Sequence, residues 1–169
     1  MGESGILRQD ARLELIEGEI IEMSPIGSAH AARVKFLTRL LYSLFGNTFI
    51  LGVQDPVRLS DFSEPQPDIS LLRWRDDDYG EKHPTPADVL LVIEVADATV
   101  VKDRTIKVPL YARSGVPEAW LVNIPEEQVE VYSDPADGSY RRAEVFGRGE
   151  EARSHTVEGL AVSVSELLG

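Results

Sequence analysis

The segment that most constrains this chain is Val89-Leu90-Leu91-Val92-Ile93-Glu94-Val95-Ala96. A short apolar run rich in β-branched residues is the profile of a buried central strand. One residue breaks that profile. Burying the ionised side chain of Glu94 in a sheet costs on the order of several kcal/mol unless a metal or a partner compensates it. Chains carry such a charge mainly where it is used. The plain alternative is an edge strand that turns Glu94 to solvent.

The flanking segments predict an α/β fold, a central mixed sheet flanked by helices, with an N-terminal hairpin and additional C-terminal strands. Two apolar runs between Leu13 and Met23, split by Glu17-Gly18, predict the hairpin. Val34, Leu37, Leu41 and Leu44 recur at helical spacing, so a helix capped by Ser28 is expected to run to about Phe45 and stop at Gly46-Asn47. Phe49, Leu51 and Val53 alternate as in a strand. Val57 to Leu59 is a short extended piece, and a loop from Asp61 enters a strand at Asp68.

Asp76 to Ala87 is the most polar stretch. A second helix is expected over Val101 to Ser114, kinked or restarted at Pro109. Ala119 to Val122 reads as a strand, and Val129 to Tyr132 with Tyr140 to Phe146 as a hairpin around Asp137-Gly138. A last strand falls near Val162, before a short C-terminal turn. No repeat or linker divides the chain, so residues 1–10 read as an N-terminal tail and 11–169 as a single domain.

Composition narrows the function classes. Lys and Arg number 17 against 29 Asp and Glu, for a formal charge of −12. That counts against nucleic-acid binding, which rests on Lys and Arg displacing phosphate counterions, although a bound divalent cation inverts the local sign. The absence of cysteine excludes disulfides and thiolate metal sites. His30, His83 and His155 are too scattered for a zinc reading. No apolar run approaches the roughly 20 residues of a membrane span, and Met1 to Asp10 lacks a secretory pattern. A soluble cytoplasmic protein is the expectation.

Three residues form a set suited to metal-dependent phosphodiester chemistry. Asp68 lies in Gln66-Pro67-Asp68-Ile69-Ser70-Leu71-Leu72, Glu94 in the apolar run, and Lys107 in the second helix, one turn after Asp103. Taken singly, each has an ordinary reading: strand entry for Asp68, a solvent-facing edge for Glu94, and an ion pair with Asp103 for Lys107. Glu19 in the hairpin and His30 in the first turn of the first helix are auxiliary candidates. Tyr111 and Trp120 read as core.

The N-terminal LELIEGEIIEMSPIGSAH, PQPDISLL, VLLVIEVADAT and DRTIKVPLYARSGVPEAWLVN together resemble the Uma-type family of putative restriction endonucleases, in the PD-(D/E)XK nuclease superfamily. The resemblance runs from about Leu13 to the C-terminus. It implies a restriction-endonuclease-like fold and a Mg²⁺-dependent DNA endonuclease, with Mn²⁺ as a substitute. Asp68 and Glu94 would bind the metal, and Lys107 would assist the attacking water. The superfamily's usual lysine, two residues after the acid, is Ala96 here; Asp103, Lys107 and Tyr111 match a D-x-x-x-K-x-x-x-Y pattern in the following helix. Asp97-Ala98 departs from the family's Ser-Pro.

On this reading the partner is DNA, no membrane is involved, and a homodimer suits cleavage of both strands. A positive face from Arg33, Lys35, Arg39, Arg73 and Arg75 is expected to meet the duplex. Two rivals stand beside it. One is a catalytically inactive nuclease-fold domain that binds a protein partner. The other is a metal-dependent phosphodiesterase acting on a small nucleotide.

Overall fold

The structure, a computed structural model, describes residues 11–169; the tail expected over residues 1–10 lies outside them. Among the described residues, six strands form one mixed sheet in the order β3 (Ile50–Val53), β4 (Ile69–Leu72), β5 (Val89–Ala96), β6 (Glu118–Asn123), β7 (Gln128–Ala136), β8 (Ser139–Gly147). The apolar run is the central strand expected of it. β5 is hydrogen-bonded to β4 antiparallel and to β6 parallel, so it has no free edge. That removes the alternative of a solvent-facing Glu94, which is only 4% exposed.

β1 (Leu13–Ile16) and β2 (Glu19–Glu22) form the N-terminal hairpin. Its two-residue turn places Glu17 at φ 51° and Gly18 at φ 83°, the left-handed pair that matches the twist of tight hairpins. α1 (Ser28–Phe45) covers one face of the sheet through Val34, Leu37 and Leu41 against Ile69, Leu71, Leu91 and Ile93. The expected Ser28 cap is not made. Gly27 is the N-cap and Ser28 is already helical; glycine fills that position at little cost.

The β5–β6 crossover is one rod built of α2 (Val100–Lys102), a π-helical turn (Asp103–Lys107) and α3 (Val108–Arg113). Pro109 has no N–H, and its ring would collide with the carbonyl four residues back in a regular helix. The chain answers one turn earlier than expected. The Val108 N–H reaches back five residues to the Asp103 carbonyl, and Pro109 then sits at the start of α3, where no N–H is required. This rod covers the second face, where Tyr111 packs with Val92, Val116 and Ala119.

At the C-terminus, β10 (Ala161–Ser163) pairs with β9 (Glu151–Arg153), a three-residue strand too short to be read from sequence. α4 (Val164–Leu168) follows, and the Ser163 hydroxyl accepts from the Glu166 N–H.

Close packing of β3 on β4 gives a first test. Gly52 lies opposite Ser70, and a Cβ on Gly52 would come within 2.4 Å of the Ser70 hydroxyl oxygen. Gly52→Ala is therefore expected to destabilise the chain by about 1–2 kcal/mol in urea denaturation. Adding Ser70→Ala should recover most of it. An unchanged midpoint for the single variant would show that the hydroxyl swings clear.

Candidate active site

Alternation along β5 sends Leu91, Ile93 and Val95 towards α1, and Val92 towards the π-turn rod. Glu94 shares parity with Val92, so it points at that rod rather than at α1. The β4–β5 register pairs Ile69 with Ile93 and Ser70 with Val92. One step further along the ladder, Asp68 stands opposite Glu94, with Cα atoms about 5 Å apart in such pairs. Asp68 Oδ2 accepts from the Val95 N–H at 2.8 Å, and Oδ1 meets His30 Nε2 at 3.0 Å.

Lys107 comes down from the rod into the same place. Its Nζ lies 2.6 Å from Glu94 Oε1 and 2.7 Å from Glu14 Oε1. Glu94 Oε1 also accepts from the Tyr111 hydroxyl at 2.6 Å. Asp103, one turn before Lys107, is buried and held by the Thr99 hydroxyl at 2.8 Å. The cleft has a volume of about 230 Å³ and is lined by Glu14, His30, Asp68, Glu94, Asp103 and Lys107. Arg12, Asp97 and Lys102 line it too.

The charges do not balance. Glu14, Asp68, Glu94 and Asp103 are all buried carboxylates, against the buried ammonium of Lys107, the partly exposed one of Lys102 and the His30 imidazole, charged only when protonated beside Asp68. Burial pushes the Glu94 carboxyl up to about 8, with Asp103, Asp68 and Glu14 adding to the shift and Lys107 opposing it. Burial likewise raises Asp103. Burial disfavours the Lys107 charge, but Glu94, Glu14 and Asp103 outweigh that and raise its pKa. Burial also works against the Glu14 charge, yet Lys107, the Gln66 N–H and Lys102 together hold its carboxyl below the ordinary range. The hydrogen bond to Asp68 raises His30.

The structure thus brings together Asp68, Glu94, Lys107, His30 and Asp103. It leaves out Glu19, which is exposed on β2 and does not line the cleft. The hairpin acid that enters is Glu14. The sequence carried a signal for it: Glu14 shares parity with Ile16, and these are the buried pair of β1. Tyr111, read as core, is core and also a hydrogen-bond donor to Glu94. None of Arg33, Lys35, Arg39, Arg73 and Arg75 lines the cleft. Arg75 is engaged by Asp77 at 2.8 Å and stacks 4.6 Å above the Tyr79 ring.

Among the described residues, no three His, Cys, Asp or Glu side chains are arranged as a ready metal cage. The donor set fits a different kind of site. Mg²⁺ takes one or two carboxylates, and waters and phosphate oxygens complete its shell. Asp68 and Glu94, set opposite each other beside surplus negative charge, suit that requirement, and the high pKa of Glu94 marks a carboxylate short of positive charge.

A family model described as Uma2, putative restriction endonuclease, matches residues 4–165. The chain is similar to the crystal structure of a putative nuclease belonging to DUF820 from Anabaena variabilis ATCC 29413, with a TM-score of 0.74 and 20% identity over 97% of this chain and 93% of that one. At that identity the likeness shows the fold alone. No curated protein matches.

Proposed function

We propose, for a chain that belongs to the Uma2 family of putative restriction endonucleases, that the cleft cleaves phosphodiester bonds of DNA with the help of a divalent cation. The observation that carries this reading is the excess of buried carboxyl groups over ammonium groups around Asp68 and Glu94. A stability-driven core has no use for such a surplus. A bound Mg²⁺ would acidify a water and draw charge from a phosphate oxygen. Asp68 and Glu94 would hold it. Lys107, kept charged by its carboxylate neighbours, presents an ammonium that can orient the attacking water or offset charge on the phosphate. His30 fixes Asp68, and Tyr111 fixes Glu94, each through a direct hydrogen-bond contact.

Size bears on the substrate. Sites that enclose a small ligand usually measure roughly 300–1,000 Å³. The cleft here, about 230 Å³, favours a polymer lying across it over a small nucleotide taken inside. Arg12 and Lys102 line it besides Lys107; Lys102 is tied to Glu14, and Arg12 is the one available to a phosphate beside the scissile bond. Two copies related by a two-fold axis would present two such clefts to the two strands of a duplex.

Calorimetric titration of Mn²⁺ into the whole chain tests the metal first, because it needs no substrate. Saturable binding is expected in the parent and its loss in both Asp68→Ala and Glu94→Ala, with nicking of supercoiled plasmid in Mg²⁺ or Mn²⁺ lost in parallel. Binding that survives both substitutions would place the metal elsewhere and sink the assignment.

A further inference from the structure

Resting on that reading of the cleft, we infer that Glu14 is a positioning residue, which holds the Lys107 ammonium in place from the N-terminal hairpin and keeps it there when Glu94 engages a metal. Glu14 has no reason to be buried on hairpin grounds alone. A two-stranded ribbon with one face on the protein would be more stable with an apolar residue beside Ile16. Its carboxylate is instead saturated. Oε1 takes the Lys107 ammonium at 2.7 Å and the Gln66 N–H at 2.9 Å, and Oε2 takes the Lys102 ammonium at 3.3 Å.

The hairpin that carries Glu14 is itself pinned to the segment leading into Asp68. The Glu64 N–H donates to the Leu15 carbonyl at 2.7 Å, the Gly18 N–H to the Phe62 carbonyl at 2.8 Å, and the Gln66 side-chain amide to the Leu13 carbonyl at 2.9 Å. Glu14 is therefore a fixed point with respect to Asp68.

A lysine needs such a point. Its head is a compact charge on a flexible four-carbon stem. Held by Glu94 alone, the ammonium would compete with the metal for the same carboxylate and lose its place when the metal won. With Glu14 as second partner, Glu94 can turn to the metal while Lys107 stays where it is. Lys102, also in the cleft lining, is tethered to the other oxygen of the same carboxylate.

The test uses Glu14→Gln, which keeps an acceptor for the Gln66 N–H, and Glu19→Gln on the exposed strand of the same hairpin as a control. The first readout is the ¹H–¹⁵N signal of the lysine ammonium groups in the metal-free chain, with Lys107 assigned by its disappearance in Lys107→Met. A slowly exchanging Lys107 signal is expected in the parent and in Glu19→Gln, and its loss or displacement in Glu14→Gln. The second readout is single-turnover nicking of supercoiled plasmid in Mn²⁺. Glu14→Gln should slow the step at saturating DNA by about 10- to 100-fold, the usual effect of removing an outer partner of a metal site, with plasmid affinity unchanged.

A Lys107 signal that is absent in the parent, or identical in Glu14→Gln, overturns the inference, as does an unchanged cleavage rate. A parent that nicks no plasmid and binds no Mn²⁺ defeats the nuclease reading instead, and the ammonium signal still decides the role of Glu14.

Discussion

Lys107→Met is expected to lower the stability of the metal-free chain by about 3–5 kcal/mol at neutral pH, the usual consequence of removing one partner from a buried ionic cluster. Methionine keeps the length of the stem and removes only the charge. What it leaves behind is Glu14, Glu94 and Asp103, each buried and each drawing on Lys107. The pH dependence follows from Glu14. Its carboxyl is held below its ordinary value of 4.5 in the folded chain, so it contributes stability above that value and loses the contribution as pH falls through its folded pKa. Without Lys107 the main source of that depression is gone. The gap between variant and parent should therefore narrow towards pH 4, where protonated carboxyls no longer need the ammonium. Urea denaturation in EDTA at neutral and acid pH measures both. A loss below about 1 kcal/mol at neutral pH, or a gap that widens in acid, would mean that Lys107 is not the charge on which the cluster depends.

The parts of the site that lie on regular strands were legible before the structure. An acid in the middle of an apolar β-branched run left two readings, a buried central strand or a solvent-facing edge, and Glu94 lies on the central strand. Asp68 was marked by the resemblance to the nuclease family, since its spacing alone also allowed an ordinary strand-entry residue. The rest depended on geometry that sequence carries weakly. Which hairpin acid turns inward is a matter of strand parity. Glu19, the hairpin acid named as an auxiliary candidate, lies on the exposed strand, while Glu14 shares a face with the buried Ile16. The π-turn was visible only as a proline out of place. Its consequence, Asp103 and Lys107 both driven into the core with Arg104 thrown out to clasp Glu130, needs the extra residue per turn to be seen. The residues of the expected basic face lie outside the cleft lining. Arginines on helix and loop surfaces find local partners, as Arg75 does with Asp77, and net composition says nothing about where those partners are.

The acidic balance that counted against nucleic acid also reads differently in three dimensions. Part of it is inside: six carboxylates are buried among the described residues, four of them at the cleft. What the duplex would meet at the cleft is Arg12 and Lys102 against Asp97. A divalent cation between Asp68 and Glu94 would shift that local sum by two units towards positive, which is the condition under which an acidic protein can hold a phosphate.

Glu94→Gln separates a working site from an inert one, because the two predict opposite signs. The Glu94 carboxyl is pushed from an ordinary 4.5 up to about 8 in the folded chain. A raised folded pKa means that the folded state holds a proton the unfolded state has released, so the contribution of this group is full below about 4.5 and is lost as pH rises to about 8. In EDTA the parent should lose stability across that window. Glu94→Gln, which cannot ionise, should match it near pH 5 and exceed it at pH 8 by a few kcal/mol, on the order set by 1.4 kcal/mol per pKa unit. Mn²⁺ should narrow that gap, since only the parent binds it and gains about 2.7 kcal/mol at a hundred times its Kd. Plasmid nicking should fall by at least about 100-fold in the variant. A residue whose loss stabilises the empty fold and abolishes the reaction is held in place by function. If Glu94→Gln is instead the less stable protein at pH 8 in EDTA, Glu94 and Lys107 are a structural ion pair, and the inactive, partner-binding domain becomes the better account of the fold.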